Sequence, residues 1–205
     1  MSKQVFIMPA PAGTSGVYGV AGVTGALTAT LAAGNILFAF QWTDPTHFAV
    51  LDLLTVSCGV SAAITTAVTT GIELVPVRDF FNSYTGGTQL DTVGVTGHEM
   101  KLKSDFQASL VEDIRIANTV PLDLPLVPGT EDGAVIGQTI FGTGTAVGTT
   151  LLASTPIFDR TISAYPLVMS TFEGFVLRMA LNGPASGTIR FSVSARWLEI
   201  TKQVF

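Results

Sequence analysis

The stretch that decides the fold class runs Phe172-Glu-Gly-Phe175-Val-Leu177-Arg-Met179-Ala-Leu181, then Asn182-Gly183-Pro184-Ala185-Ser186-Gly187, then Thr188-Ile189-Arg-Phe191-Ser-Val193-Ser-Ala195-Arg-Trp197-Leu-Glu-Ile200. Phe175, Leu177, Met179 and Leu181 share one parity, and Ile189, Phe191, Val193, Ala195 and Trp197 share one after the break. Arg178, Arg190, Ser192, Ser194 and Arg196 stand between them. A strand sends successive side chains to opposite faces, so each run has one greasy and one wet face. Asn182-Gly183 tolerates positive φ, Pro184 supplies no ladder donor, and Gly187 restarts the chain. The pattern predicts a β-hairpin whose core side is Phe175, Leu177, Met179, Leu181, Ile189, Phe191, Val193 and Trp197.

The rest of the chain shares this bias. Its 205 residues are enough for one sizeable core. Only 12% are charged, against about 25% in an ordinary soluble domain. The hydrophobic fraction is an ordinary 47%, so the missing charge is replaced by Thr, Gly and Ser. Thr, Val and Ile favour strands, while 21 Gly and 10 Pro supply turns. The expected class is all-β.

So little charge also constrains the surface. A lone soluble domain keeps a well-charged exterior, and a mean hydropathy of +0.51 does not suit one. Either the chain sits in a membrane or other subunits cover much of its outside. The net charge is 10 minus 15, or −5. Arg115, Arg160, Arg178, Arg190 and Arg196 are scattered, which argues against a nucleic-acid groove. The single Cys58 excludes an internal disulfide and suits a reducing cytoplasm.

No charged residue stands between Lys3 and Asp44, and Val17 to Phe40 is long enough to span a bilayer. Gly16, Gly19, Gly22, Gly25 and Gly34 interrupt it, and no basic flank succeeds it, so a transmembrane helix is not expected. Val5 to Met8 is too short for a signal peptide, and Pro9 and Pro11 break it. An outer-membrane β-barrel fits the length, the glycine content and the terminal Phe205. However, 3 Tyr and 2 Trp are few for aromatic girdles.

In chain order, residues 1–33 read as an N-terminal arm or a weak first strand. As an arm it is either a mobile terminus or a segment lying on a neighbouring subunit. Residues 34–205 read as a single domain. Ile36, Phe38, Phe40 and Trp42 share one face of a strand, and Thr43-Asp44-Pro45-Thr46 is a turn. Phe48 to Val60 is apolar on both parities, as in a strand covered on both sides. Asp52 lies within it and needs an Arg or backbone N–H partner. Ser61 to Thr70 is a loop or a short helix. In the strand Gly71 to Phe80, Pro76 calls for a sheet edge or bulge. Leu102, Phe106, Leu110 and Ile114 recur at helical spacing and allow a helical turn near Asp105, and the stronger pattern, Glu112 to Ala117, is a strand. Residues 119–154 read as a long Pro- and Gly-rich loop, unusual in a compact domain. Leu122, Leu124, Leu126, Val127, Ile136, Ile140 and Phe141 recur in it, so it is expected to pack on a neighbour. With Val17 and Tyr18 these are the candidate inter-subunit contacts. Pro156 and Pro166 limit regular structure between Leu151 and Met169.

No catalytic constellation emerges, and an enzyme is not expected. His98-Glu99 starts like a zinc-protease helix, but the second His is missing. His47, His98 and Cys58 make a poor metal-ligand set. Cys58 lies in a greasy strand, where a thiol is packing rather than a nucleophile. Gly142-Thr-Gly144-Thr-Ala-Val-Gly148 has its third glycine displaced from the dinucleotide fingerprint and lacks a βαβ unit. Glu131-Asp132 reads as a solvated loop tip. No cofactor or metal is expected.

Several segments resemble a broad group of small tailed-bacteriophage virion proteins. They are the strand before Arg78-Asp79-Phe80, the turn Ser83-Tyr84-Thr85-Gly86-Gly87-Thr88, Lys101-Leu102-Lys103-Ser104, Asp113-Ile114-Arg115-Ile116-Ala117, and Glu173-Gly174-Phe175-Val176-Leu177-Arg178 with the strand pattern that ends near Trp197 and Glu199. Together they cover about half the chain. The resemblance implies an antiparallel β-sandwich or jelly roll with long extended arms and loops. It also implies a capsid decoration (cement) protein, assembled in the host cytoplasm and placed on the virion surface. The implied partners are the chain itself, as a homotrimer, and the major capsid protein, with neither nucleic acid nor membrane. Residues 1–33 depart from the resemblance. A main shell subunit is disfavoured, because no long amphipathic helix is legible. The rival reading is a fibre, spike or carbohydrate-binding β-module, for which Tyr18, Trp42, Tyr84 and Tyr165 are the candidate aromatics.

Overall fold

The computed structural model describes residues 14–28, 31–90, 100–101, 107–125, 128–132, 134–163 and 165–202. Among them lie β1 (Thr14–Val23), β2 (Leu27–Thr28), β3 (Ile36–Trp42), β4 (His47–Ala62), β5 (Thr69–Arg78), β6 (Thr88–Gln89) and β7 (Met100–Lys101). The later strands are β8 (Asp113–Ile116), β9 (Thr130–Glu131), β10 (Gly137–Gly142), β11 (Thr150–Asp159), β12 (Leu167–Met169), β13 (Glu173–Leu181) and β14 (Thr188–Thr201). The described residues contain no α-helix.

Two antiparallel sheets pack together. One runs β11-β4-β14-β1-β7, with β12 also on β4 and β2 on β14. The other runs β10-β5-β13-β3-β8-β6, with β9 on β5. The pairings β1 with β14, β3 with β13, β4 with β11 and β5 with β10 are nested. Four early strands therefore pair with four late ones in reverse order, like a single antiparallel ribbon. Successive ladders of the ribbon fall in alternate sheets, so it wraps around one core. This is a jelly roll, and its inward apolar faces are the reverse of a membrane barrel's outward band.

The wrapping overturns the expected hairpin. β13 and β14 do not pair with each other: β13 lies between β5 and β3, and β14 lies between β4 and β1. Residues 182–187 carry the chain from one sheet to the other. Gly183 N–H donates to the Leu31 carbonyl at 2.7 Å, and Ala33 N–H donates to Asn182 Oδ1 at 2.9 Å. Phe175, Leu177, Met179, Ile189, Phe191, Val193 and Trp197 are all fully buried, but they belong to opposing sheets. Leu181 is exposed instead, because the ladder with β5 slips between Met179 and Leu181.

Aromatic rings join the two layers. Phe40 stacks on Phe175 at 5.1 Å and meets Trp197 of the other sheet edge-on at 5.2 Å. Tyr18 stacks on Trp197 at 5.8 Å. Such ring pairs add about 0.5–1.5 kcal/mol each beyond their burial.

A further layer lies outside the sheet that contains β3. Ile36, Phe38, Phe40 and Trp42 face the core, yet Leu37, Ala39 and Gln41 are buried as well. The segment after β5 and the segment around Leu122 cover them. Gln41 Nε2 donates to the Phe80 carbonyl at 2.6 Å, and Gln41 Oε1 accepts from Ser83 Oγ at 2.6 Å. Leu122 N–H donates to the Ile36 carbonyl at 2.9 Å. Gly87 makes the close approach possible: its φ is +62°, and a side chain there would strike Leu122 and the Ile116 carbonyl.

Other expectations change for similar non-local reasons. Within residues 1–33, the part from Thr14 to Val23 is a full strand between β14 and β7. Residues 1–13 lie outside the described residues, as do the proposed helical turn at 102–106, Leu126, Val127 and His98. β4 is covered on both faces only from Ala49 to Asp52; beyond that its burial alternates. Ser61 to Thr70 holds no helix: β4 ends at Ala62 and β5 starts at Thr69. β5 is an interior strand, and its Pro76 sits in the gap between β10 and β9. The Pro76 carbonyl accepts from Asp132 N–H on that side, so the missing proline donor interrupts neither ladder. The region 119–154 is not one loop: it contains β9, β10 and the start of β11.

Candidate interaction surface

The charged residues mostly serve the fold. Asp52 is only 7% exposed and lies where the β4–β14 register slips between Arg196 and Trp197. Its Oδ1 accepts from Arg160 Nε at 2.9 Å and its Oδ2 from Arg196 Nε at 2.5 Å. The Arg160 N–H adds a bond to the Asp52 carbonyl at 2.8 Å. The arginine partner expected from the sequence is present, in duplicate. Arg178 lies between Glu73 and Glu131, and Arg115 pairs with Asp113 at 2.8 Å. Glu131 and Asp132 do not form a free tip, since Asp132 accepts from Arg78 at 2.9 Å.

Burial and local hydrogen bonds shift three titratable groups. Burial pushes the Cys58 thiol up to about 12, which leaves it protonated and inert. Burial also raises the Glu199 carboxyl, against the bonds it accepts from Ser109, Leu110 N–H and Trp197. Partial burial acts on Asp44 in the same sense, but the bonds from Thr46 and His47 prevail and hold it below its ordinary value. That places His47 in a turn cap. No group of His, Cys, Asp and Glu suited to a metal ion occurs among the described residues. No described helix is long and apolar enough to cross a membrane.

The candidate contacts divide in two. Tyr18, Leu122 and Phe141 are buried within the chain itself, against Trp197, the Gly87 turn and Phe191 respectively. These three are corrections, because each sits on the inward or covered side of its segment. Val17 is half-buried beside Val50, Leu198 and Ile200. Leu124, Ile136 and Ile140 are exposed, the last by 56%. Of the candidate aromatics, Trp42 and Tyr84 are buried, and only Tyr165 faces out, at 83% exposure.

Further exposed apolar residues carry no signal in the sequence: Val23, Val135, Val147, Ile162, Val168, and the ring pair Phe81–Phe172 at 4.8 Å. All but Val23 and Val168 lie in turns or connections, where no periodicity marks a side chain as outward. Ile136, Phe158, Ser163, Tyr165, Pro166 and Leu167 line an open groove of about 360 Å³ at the side of the sandwich. This surface can bury apolar area against a partner. No family model, curated protein or solved structure matches the chain.

Proposed function

We propose that this protein is a structural component of a bacteriophage virion, a capsid decoration or cement protein that holds neighbours by apolar contact. The observation that carries this reading is the outward exposure of Leu124, Ile140, Val147, Ile162 and Tyr165 on a chain with only 12% charged residues. A solitary soluble domain avoids such a surface, whereas permanent assemblies use one. The jelly roll suits the role, being a fold that viral capsids use repeatedly. Each subunit would remove apolar area from water at roughly 25 cal/mol per Å². Many such contacts, none strong alone, would stiffen a shell. A homotrimer at a local three-fold junction is the assembly proposed, with the major capsid protein beneath it.

Light scattering on the purified chain, followed by binding to heads stripped of accessory proteins, tests the reading. The expected result is a particle of several times 21.4 kDa that co-sediments with heads. A monomer soluble at high concentration that ignores heads would overturn it. Tyr165 beside the open groove favours a second reading, a carbohydrate-binding module of a fibre or spike. Glycan-array binding abolished by Tyr165→Ala would support that alternative.

A further inference from the structure

The edges of the two sheets are not protected alike. A free strand edge offers unpaired N–H and C=O groups to any other chain, and proteins blunt it with charge, proline, bulges or brevity. β6 and β7 are two residues long. β11 carries Pro156 and three register shifts against β4. β10 has none of these devices. It pairs with β5 in unbroken register from Gly137 to Gly142, and among the described residues no strand pairs with its other side, although Ile157 of β11 packs against Gly137.

The phase of the β5–β10 ladder shows which groups are left over. Thr143 N–H donates to the Val68 carbonyl at 2.8 Å, in register with the pairs of the ladder itself. The backbone groups of Phe141 and Thr139 therefore point into β5. Those of Gly142, Ile140 and Gln138 point away from it. All three of these residues are exposed, and a side chain added at Gly142 would meet nothing. Val135, Ile136, Ile140 and Val147 are exposed along the same segment.

The charge distribution identifies the occupant. From Gly133 to Phe158 the chain has no Asp, Glu, Lys, Arg or His, although its net charge is −5. Two copies repel each other over the rest of their surface and meet without that cost only along an uncharged one. Glu73, opposite Gln138 on β5, is already paired with Arg178, so a charged partner would find no free complement there. A second copy of the same chain brings an uncharged apolar surface, and meeting this edge head to tail it lets the contact repeat around a three-fold axis.

We propose that the free edge of β10 is the seam at which one copy of this chain docks on another. The groups of Gln138, Ile140 and Gly142 would form main-chain hydrogen bonds between copies, and Ile136 and Ile140 would be covered. This rests on the self-assembling structural role proposed above and assigns it a location.

The test compares the unsubstituted chain with Gln138→Pro, Ile140→Lys and a control, Ser194→Lys, at an exposed polar position in the other sheet. Proline at 138 removes a donor that points away from β5, so the internal ladder survives. The expected result is that light scattering gives an oligomer for the unsubstituted chain and the control, and 21.4 kDa for the two β10 variants. Hydrogen exchange on the unsubstituted oligomer supplies a readout without substitution. The amides of Gln138, Ile140 and Gly142 should be slow in the oligomer and become at least about tenfold faster on dilution to monomer. If both β10 variants stay oligomeric, or those amides exchange quickly in the oligomer, the seam lies elsewhere and only this proposal fails. If the unsubstituted chain is monomeric at every concentration, the self-assembling role itself falls, and the seam with it.

Discussion

Asp52→Ala is the most informative single change, because it separates a structural carboxylate from a chemical one. The side chain of Asp52 is 10% exposed, that of Arg160 14%, and that of Arg196 45%. Removing the carboxylate leaves Arg160 buried without its counter-ion. Breaking a buried pair from one side costs about 3–5 kcal/mol. The Arg160 share belongs at the lower end, about 3 kcal/mol, since some solvent reaches the pair. Arg196 is nearly half exposed, so its bond counts as a surface pair worth at most about 1 kcal/mol. A domain of this size loses about 2–4 °C in Tm per kcal/mol, so Asp52→Ala should melt roughly 6–16 °C lower. Calorimetry on Asp52→Ala, Arg160→Met and the double variant measures the coupling directly. The double variant should cost much less than the sum of the singles, because it buries no orphaned charge. Additive losses, or an Asp52→Ala melt within about a degree of the parent, would refute the triad as a stabilising unit.

The remaining predictions concern the core and two buried groups. Phe40→Ala removes the ring between Phe175 and Trp197 and should cost about 3–5 kcal/mol in a urea titration, with the m-value retained; a loss below about 1 kcal/mol would mean that the sheets do not meet there. Burial raises the Glu199 carboxyl, so the folded state holds its proton more tightly than the unfolded state does. Its contribution is therefore fully present below the ordinary value of 4.5 and is lost as pH rises through the raised folded value. Glu199→Gln should accordingly gain stability relative to the parent as pH climbs from 4.5 to the raised folded value and keep that gain above it, and a pH-independent difference would contradict the assignment. Cys58 should resist a disulfide reagent at mildly alkaline pH in the native state and react promptly in denaturant; fast native labelling would show that the thiol is accessible.

Much of this molecule was legible before folding, because strand geometry is local. The parity of Phe175, Leu177, Met179, Phe191, Val193 and Trp197 follows from the alternating backbone alone, and so does the face assigned to Ile36, Phe38, Phe40 and Trp42. The need of Asp52 for an Arg or backbone N–H partner came from the cost of burying a charge. Which strands pair was not legible, because an alternating run packs equally well beside its sequence neighbour or across from it. Residues 182–187 accordingly read as a hairpin turn but cross from sheet to sheet. The surface was the least legible part. Tyr18, Leu122 and Phe141 looked available for a neighbour, and the fold used them itself.

The sequence by itself determined that the chain is built of strands, that one parity of each long strand is buried, and that too little charge is present for an ordinary exterior. Only the tertiary structure decided the nested jelly-roll pairing, the outer layer over Ala39 and Gln41, the two arginines on Asp52, and the unpaired edge of β10. The division has a physical cause: alternation is set by dihedral angles within a few residues, whereas pairing and cover depend on groups far apart in the chain, such as Phe40 and Trp197, that come together only when the ribbon wraps.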